Sequence, residues 1–196
     1  ASGRKKIHST TQNQDSKMNR RKFLMNGTLA SGVMLLHTSD FAMEQTQRLT
    51  ILHTNDVHSR LDPFPNDGTQ NAGKGGVAAR AKLIQKIRSE VEHILLLDAG
   101  DIFQGTPYFN IFKGEPEMRA MQMMGYDAGI MGNHDFDAGM ENFAKQLVSH
   151  GKFPIVMCNY GFERTPMENL YVPYKIFTKG KLKIGITGVG IEMQGL

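Results

Sequence analysis

Three clusters of polar residues contain the side chains that could bind metal ions or transfer protons. They are, in chain order, Asp56 with His58, Asp101, and Asn133 with His134. Each cluster follows an apolar run, and each by itself is typical of a turn in which a short polar side chain binds nearby backbone amides. Turn chemistry gives no reason for three such clusters to follow three successive apolar runs. We therefore interpret them together as parts of one site.

The residue types in these clusters favour a centre with two divalent metal ions. Hard and borderline cations bind carboxylate, imidazole and amide oxygen ligands, and Zn, Mn, Co and Fe all suit such a set. On an extended segment an Asp-x-His step places both side chains on the same side, so Asp56 and His58 could share one ion. The two oxygens of Asp101 could each bind one ion, which makes this residue the candidate bridge. Asn133 would give the second ion a neutral oxygen.

Two ions held in this way would promote the hydrolysis of phosphate esters. A pair of ions about 3.5–4 Å apart lowers the pKa of a bound water from about 15.7 towards about 7 and neutralises charge on a phosphoryl group during in-line attack. His134 directly follows a predicted ligand on a tight turn, so its ring points more easily at a substrate than at the same ion. The pattern predicts a metal-dependent phosphohydrolase.

The elements that must position these clusters alternate between strand and helix. Apolar runs predict four strands, at 49–53, 94–97, 128–131 and 155–157, and helical spacing of apolar residues predicts three helices, at 77–91, 115–124 and 140–149. Continuous apolar strands indicate a largely parallel sheet covered by helices, in which functional groups gather at the carboxyl ends of the strands. Two later runs, 171–177 and 182–189, predict a hairpin.

Four segments, three of which carry these clusters, resemble the N-terminal metallophosphoesterase (calcineurin-like) domain of the 5'-nucleotidase family. They read LHTNDVHSRLDP, GGVAARAKLIQKIR, LLLDAGDIFQGTPYFN and MGYDAGIMGNHDFDAG. The resemblance implies an α/β fold, the metallophosphoesterase-type four-layer α/β/β/α sandwich, of which residues 46–196 would form a partial domain, the first half only. It also implies that the substrates are phosphate monoesters of nucleotides, hydrolysed by a water that two metal ions activate.

The same resemblance assigns a role to each of six residues. They are Asp56 and His58 for the first metal ion, Asp101 for bridging both ions, Asn133 for the second ion, His134 for contact with the phosphate and stabilisation of the transition state, and Asp137 for orienting the His134 imidazole. No other cofactor is implied.

The beginning of the chain has the organisation of an export signal. Residues 1–17 read as an N-terminal extension, and residues 18–45 resemble a twin-arginine signal, with NRRKFL followed by an apolar stretch that is too short and too polar to span a bilayer. We expect export to the periplasm or the extracellular space of a bacterium. Residues 1–22 contain seven basic residues and one acidic residue, so the formal charge of +4 leaves −2 on the remainder. That balance predicts no nucleic-acid partner.

Part of the site that the resemblance implies has no counterpart in this sequence. Each ion needs about four to six ligands, and the family pattern supplies further histidines that end in a Gly-His-x-His element. No segment after His134 matches that element. We therefore expect a truncated chain that lacks the C-terminal half of the domain and a separate substrate-binding domain, with weak metal retention and little activity of its own.

Two alternative functions use the same residues. A phosphodiesterase or a nucleotide-sugar pyrophosphatase of the same fold would employ the same metal ions. A non-catalytic module would complete its phosphate site only with a partner chain. The ligand types alone do not separate these alternatives from a 5'-nucleotidase.

Four further residues receive structural interpretations. Asp135 is either a carboxylate partner of a metal-binding histidine or the N-cap of a helix. His53 is expected in the core, and Cys158, the only cysteine, is expected to be buried at a strand end. Gly132 would allow a sharp turn of the backbone.

Overall fold

The computed structural model describes residues 46–192 of the chain. The predicted N-terminal extension and signal segment, residues 1–45, therefore lie outside the described residues. Within the described range, none of the helices combines the length and the apolar character needed to cross a membrane.

A five-stranded parallel sheet forms the centre of the described chain. Its strands follow one another in sequence order and are β1 (Thr50–Thr54), β2 (Ile94–Asp98), β3 (Ala128–Gly129), β4 (Ile155–Val156) and β5 (Tyr171–Val172). β1 pairs with β2 over its whole length, so that Thr54 lies beside Asp98 at the carboxyl edge. Because the strands are parallel, the loops after β1, β2 and β3 leave the sheet at the same edge.

Helices cover one face of this sheet and enclose the main hydrophobic core. They are α1 (Val77–Glu90), α2 (Pro107–Phe112), α3 (Glu115–Met124) and α4 (Met140–Gln146), with a 3-10 turn at His134–Phe136 and a π turn at Leu147–Gly151. The core joins Leu96 and Ile155 of the sheet to Met118 and Met121 of α3 and to Phe143 of α4. Burying each of these side chains contributes about 1.5–3 kcal/mol, which holds the helices on the sheet.

An antiparallel hairpin lies against the other face of the sheet. It consists of β6 (Lys175–Lys179) and β7 (Leu182–Ile186). The Lys179 ammonium group contacts the carboxylate of Asp127, just before β3, at 3.1 Å. After β7, Gly188 packs against Ile130. The described residues thus form three layers, which are helices, parallel sheet and hairpin.

The predicted alternation of strands and helices and the predicted parallel sheet are confirmed. The predicted helix 115–124 is α3, and the predicted helix 140–149 is divided between α4 and the π turn. α2 has no counterpart in the sequence predictions. Its six residues are too few to show a helical period.

Three predictions about single elements are wrong. Tyr171 and Val172 pair with β4 in the parallel sheet, and Pro173, which lacks an N–H donor, separates them from the hairpin. His53 is exposed, because alternate residues of β1 face away from the helices. Cys158 is exposed as well, since it lies in the loop beyond β4 rather than in the strand.

Candidate metal centre

The loops after β1 and β2 run side by side and carry three of the predicted ligands. Backbone hydrogen bonds of 2.9–3.0 Å join residues 56–59 to the carbonyl groups of residues 100–102. Asp56, His58 and Asp101 have φ angles of 50°, 45° and 53°, in a region that residues other than glycine rarely adopt. The Asp-x-His step is therefore bent and not extended as the sequence predicts. Such backbone persists only where the surrounding structure over-determines it.

The ligand atoms of Asp56, His58 and Asp101 converge. All three lie within 4.8 Å of one another, and among residues 46–192 they are the one group of His, Cys, Asp or Glu side chains with this spacing. Nε2 of His58 is 3.8 Å from Oδ1 of Asp56 and 4.0 Å from Oδ2 of Asp101. Ligand atoms that bind one ion at about 2.1 Å are about 3–4 Å apart. Small side-chain movements would therefore allow one divalent ion to bind all three.

Hydrogen bonding decides which ring nitrogen of His58 can bind a metal ion. Nδ1 lies 3.3 Å from the backbone carbonyl oxygen of Phe103. Because a carbonyl oxygen only accepts, this contact favours the neutral tautomer with the proton on Nδ1, in which Nε2 has the lone pair. Nε2 is also the atom that faces Asp56 and Asp101. A backbone carbonyl commonly orients a metal-binding histidine in this manner.

The carboxylate of Asp101 lies between the loop after β1 and the loop after β3. Its Oδ2 faces His58, whereas its Oδ1 accepts the backbone N–H of His134 at 3.0 Å. The side chain is only 13% exposed. Asn133 is half-buried and directly precedes His134, so it belongs to the segment that Oδ1 faces. The structure therefore brings all four predicted ligands to one edge of the sheet.

Two glycines let the loops after β2 and β3 touch backbone to backbone. A Cβ atom on Gly100 would lie 2.5 Å from the nitrogen of Gly132, and a Cβ atom on Gly132 would lie 2.1 Å from Oδ1 of Asp101. Gly132 has no φ angle in the left-handed region. The predicted turn therefore does not depend on a left-handed φ angle at this position. Gly132 is needed because any side chain there would displace Asp101.

Asp135 is fully buried and ties these two loops together. Its Oδ1 accepts the backbone N–H groups of Ile102 and Phe103, and its Oδ2 accepts those of Asp101 and Gly132, at distances of 2.9–3.1 Å. Both predicted roles, histidine partner and helix N-cap, are wrong. Burial raises the pKa of the Asp135 carboxyl to about 7, and the amide hydrogen bonds oppose that rise.

His134 and Asp137 form a hydrogen-bonded pair beside the three converging ligands. Nδ1 of His134 is 3.0 Å from Oδ2 of Asp137, and this hydrogen bond raises the pKa of the imidazole. Gln104, for which the sequence gives no signal, donates to the same oxygen at 3.1 Å. The rings of His134 and His58 meet edge to face with centroids 5.2 Å apart. One carboxylate oxygen thus holds both His134 and Gln104.

Asp98 ends β2 and is buried behind the loops. Its carboxylate accepts a hydrogen bond from the Thr54 hydroxyl and another, at 2.9 Å, from the Gly100 amide. The Thr54 hydroxyl also lies 2.7 Å from the hydroxyl of Tyr126. Burial raises the pKa of Asp98 to about 6, with the two hydrogen bonds opposing the rise. Asp98 fixes the start of the Asp101 loop and does not belong to the ligand group.

A cleft of about 560 Å³ opens beside Asp56 and His58. Its walls include Arg60 and, from α1, Arg80. The guanidinium of Arg60 lies 4.5 Å from the centre of the Phe64 ring, which also lines the cleft. Space and positive charge are thus available next to the candidate ligands.

Comparison with known proteins gives a consistent set of relatives. The family described as calcineurin-like phosphoesterase matches residues 49–192, a range that contains every predicted site residue. The 5'-nucleotidase of Bos taurus is 45% identical over 147 residues, which are 71% of this chain and 26% of the relative. This chain therefore spans about a quarter of the length of the curated relatives that it matches.

Solved structures agree with this assignment. The 5'-nucleotidase precursor of Thermus thermophilus aligns with a TM-score of 0.66 and 35% identity, over 72% of this chain and 28% of its own. The NAD nucleotidase of Haemophilus influenzae aligns with a TM-score of 0.65 and 34% identity, over 72% of this chain and 29% of its own.

Proposed function

Because this chain belongs to the calcineurin-like phosphoesterase family, we propose that it acts as a metal-dependent phosphohydrolase of the 5'-nucleotidase type, on phosphate monoesters of nucleotides. The observation that carries the proposal is the convergence of Asp56, His58 and Asp101 at the carboxyl edge of a parallel sheet. The similarity to a 5'-nucleotidase supports nucleotides as the substrate class.

Four residues would hold two divalent ions. Asp56 and His58 would bind the first ion, Asp101 would bridge both, and Asn133 would bind the second. The donor set fits, because it combines carboxylates, an amide and an imidazole whose Nε2 faces the two carboxylates, and it suits Zn, Mn, Co or Fe. When bound, such ions supply a water of lowered pKa and positive charge for the phosphoryl group.

His134 would act on the substrate rather than on a metal ion. Asp137 occupies Nδ1 of His134, which leaves Nε2 to donate a hydrogen bond to a phosphate oxygen. The raised pKa of His134 favours the protonated imidazole, whose charge would offset the charge that develops on the phosphoryl oxygens. Gln104 would hold Asp137 in place for this task.

The four proposed ligands do not fill two coordination spheres of about four to six groups each. We propose that water and groups outside these 196 residues complete them. The chain by itself should then retain metal ions weakly and turn over substrate slowly.

Export is part of the same proposal. Residues 18–45 resemble a twin-arginine signal, and the relative from Thermus thermophilus is described as a precursor. Export of this kind would place the hydrolase in the periplasm or outside the cell.

The test compares Asn133→Ala with His134→Ala in the protein expressed from its complete gene. Metal content is measured after chelator treatment and reloading with Mn²⁺, and hydrolysis of AMP is measured in parallel. We expect His134→Ala to keep its metal while turnover falls about 100-fold or more, and Asn133→Ala to lose both. His150→Ala, which changes a histidine of the π turn, is the matched control.

Two results would count against this assignment. Equal loss of metal from the Asn133 and His134 variants would remove the proposed division of roles. Faster turnover of bis-p-nitrophenyl phosphate than of AMP would favour the phosphodiesterase alternative.

A further inference from the structure

The cleft beside Asp56 and His58 contains two arginines that have no part in the function proposed above. Arg60 belongs to the loop after β1, and Arg80 lies near the start of α1. Both residues are half-buried. Within residues 46–192, no carboxylate forms a salt bridge with either guanidinium group. A cleft with two such cations attracts an anion.

The two guanidinium groups differ in how they are held. The Nε atom of Arg80 is buried and has no hydrogen-bond partner in the described part of the chain. The guanidinium of Arg60 lies 4.5 Å from the centre of the Phe64 ring, so this side chain loses less freedom when it binds a ligand. Arginine can donate two hydrogen bonds at once to a phosphate group.

The start of α1 adds positive charge to the same cleft. Gly75, Gly76 and Ala79 belong to its walls. Gly76 is the N-cap of this 14-residue helix, no side chain caps it, and the first turn contains no acidic residue. An uncapped helix N-terminus carries partial positive charge and unpaired N–H groups, both of which favour an anion. The helix terminus and the two arginines therefore act in the same direction.

The cleft is distinct from the place proposed for the phosphoryl group under attack. Asp56 and His58 belong to its walls, whereas Asn133, His134 and Asp137 do not. Once Asp56 binds a cation, its negative charge no longer balances the charges of the arginines. An anion in the cleft would therefore be a second group, next to the phosphoryl group that faces His134.

We propose that Arg60, Arg80 and the start of α1 form a second anion subsite, which binds the phosphate group adjacent to the one at the metal centre. The ligand class is then nucleoside diphosphates, which should bind more tightly than monophosphates. The volume of about 560 Å³ is in the range of small-molecule sites. The inference rests on the proposed function for the position of the first phosphate group.

Binding of ADP and AMP tests the subsite. The protein is expressed from its complete gene, carries His134→Ala so that neither nucleotide is consumed, and is saturated with Mn²⁺. Calorimetric titration at a fixed excess of Mn²⁺ gives each Kd for this background and for Arg60→Met, Arg80→Met and the double variant within it. Methionine keeps an unbranched apolar stem but lacks the charge and the donors. Lys82→Met, which removes an exposed charge of α1 outside this cleft, is the control.

The decisive quantity is the ratio of the Kd for AMP to the Kd for ADP. In the background, ADP should bind about 10-fold or more tightly than AMP. Each single arginine variant should reduce this preference, the double variant should abolish it, and Lys82→Met should retain it. Burial raises the pKa of Asp98, and the charge of Arg80 is among the effects that oppose the rise. A purely structural effect of losing Arg80 would weaken the binding of both nucleotides alike and leave the ratio unchanged.

Chemical modification gives a second readout. Phenylglyoxal reacts with accessible guanidinium groups, and mass spectrometry follows Arg60 and Arg80 separately. ADP should protect both residues better than AMP with an equal concentration of inorganic phosphate, because the second phosphate of ADP is tethered to the first. Arg119, which pairs with Glu115 at 2.8 Å on α3, should react equally under both conditions.

Equal ratios of Kd in the background and the double variant would overturn the inference, and if the double variant does not fold, the single variants decide in the same way. Equal protection by ADP and by AMP with phosphate would show that the cleft takes a free anion, which also overturns it. If the protein binds no Mn²⁺ or does not hydrolyse AMP, the proposed function fails. Protection of Arg60 and Arg80 by ADP in the metal-free protein then decides whether the subsite exists.

Discussion

Backbone strain is concentrated in residues around the candidate centre. Eight residues other than glycine have positive φ angles within residues 46–192, and five of them lie in the loops after β1 and β2, namely Asp56, His58, Ser59, Asp101 and Gln104. Each such residue costs of order 1 kcal/mol or more. The four amide hydrogen bonds to Asp135 help to offset this cost. These hydrogen bonds hold the loops after β2 and β3 together.

The buried carboxyl of Asp98 should make the free energy of unfolding depend on pH. Its pKa is about 6 in the folded protein against 3.8 ordinarily, so the folded state binds the proton more tightly than the unfolded state. This contribution to stability is complete below pH about 4 and is lost as the pH rises through about 6. Asp98→Asn should remove that decline, which amounts to about 2–3 kcal/mol, in urea unfolding of the metal-free protein between pH 4 and 7.5.

The Asp98→Asn variant can preserve its local hydrogen bonds. Its amide oxygen can accept from Gly100, and its amide nitrogen can donate to the Thr54 hydroxyl. Burial raises the pKa of Asp135 as well, so Asp135 also contributes to the pH dependence of the wild type. The decisive quantity is therefore the difference in the free energy of unfolding between Asp98→Asn and the wild type. Glu141→Gln, an exposed carboxyl on α4, is the control. Parallel pH curves for Asp98→Asn and the wild type would contradict the prediction.

The residue types of the candidate metal ligands could be read from the sequence, but the groups that hold these side chains in place could not. An Asp-x-His step and polar residues after apolar runs identify Asp56, His58 and Asp101. The amides that Asp135 binds in the Asp101 loop lie 32–34 positions away in the chain, and backbone amides have no sequence signature.

At the scale of elements, the site depends on how closely the loops after β2 and β3 approach each other. Gly132→Ala would place a methyl group against Oδ1 and the backbone nitrogen of Asp101. The loops would have to separate, which should weaken Mn²⁺ binding by about 10-fold or more and destabilise the fold by about 1–3 kcal/mol. Calorimetric titration with Mn²⁺ and urea unfolding measure the two effects.

Gly185→Ala provides the comparison for that variant. A Cβ atom on Gly185, in β7, meets nothing within 4 Å, and its φ angle is not left-handed. The same substitution there should leave Mn²⁺ binding unchanged. If Gly132→Ala binds Mn²⁺ as tightly as Gly185→Ala, the close approach of the loops is not required.

Elements with a clear period of apolar residues could be predicted, whereas the short helix α2 could not. α1 and α3 have apolar residues at helical spacing, whereas the six residues of α2 are too few to show a helical period; β3 has only two residues but lies within the predicted strand 128–131. The parallel sheet follows from continuous apolar strands separated by helices. The position of the hairpin depends on tertiary contacts such as that of Lys179 with Asp127. Local sequence patterns do not predict contacts of this kind.

At the scale of the whole molecule, apolar surface remains exposed on the side of the hairpin. Tyr174 is 62% exposed and Ile176 is 59% exposed. The α/β class was predictable because the strand and helix periods alternate along most of the described chain. Exposure of these side chains was not predictable, because apolar residues in a strand indicate burial whether or not a covering layer is present.

The paired arginines Arg20 and Arg21, in the segment 18–45 that resembles an export signal, lead to a prediction about export. Lysine keeps the charge of arginine but lacks its planar set of donors, so Arg20→Lys combined with Arg21→Lys leaves the formal charge at +4 and the apolar stretch unchanged. If residues 18–45 act as a twin-arginine signal, this double variant should remain in the cytoplasm of the bacterial host, as fractionation and immunoblotting would show. Arg4→Lys, in the extension, should be exported normally. Equal export of both variants would mean that the paired arginines are not recognised.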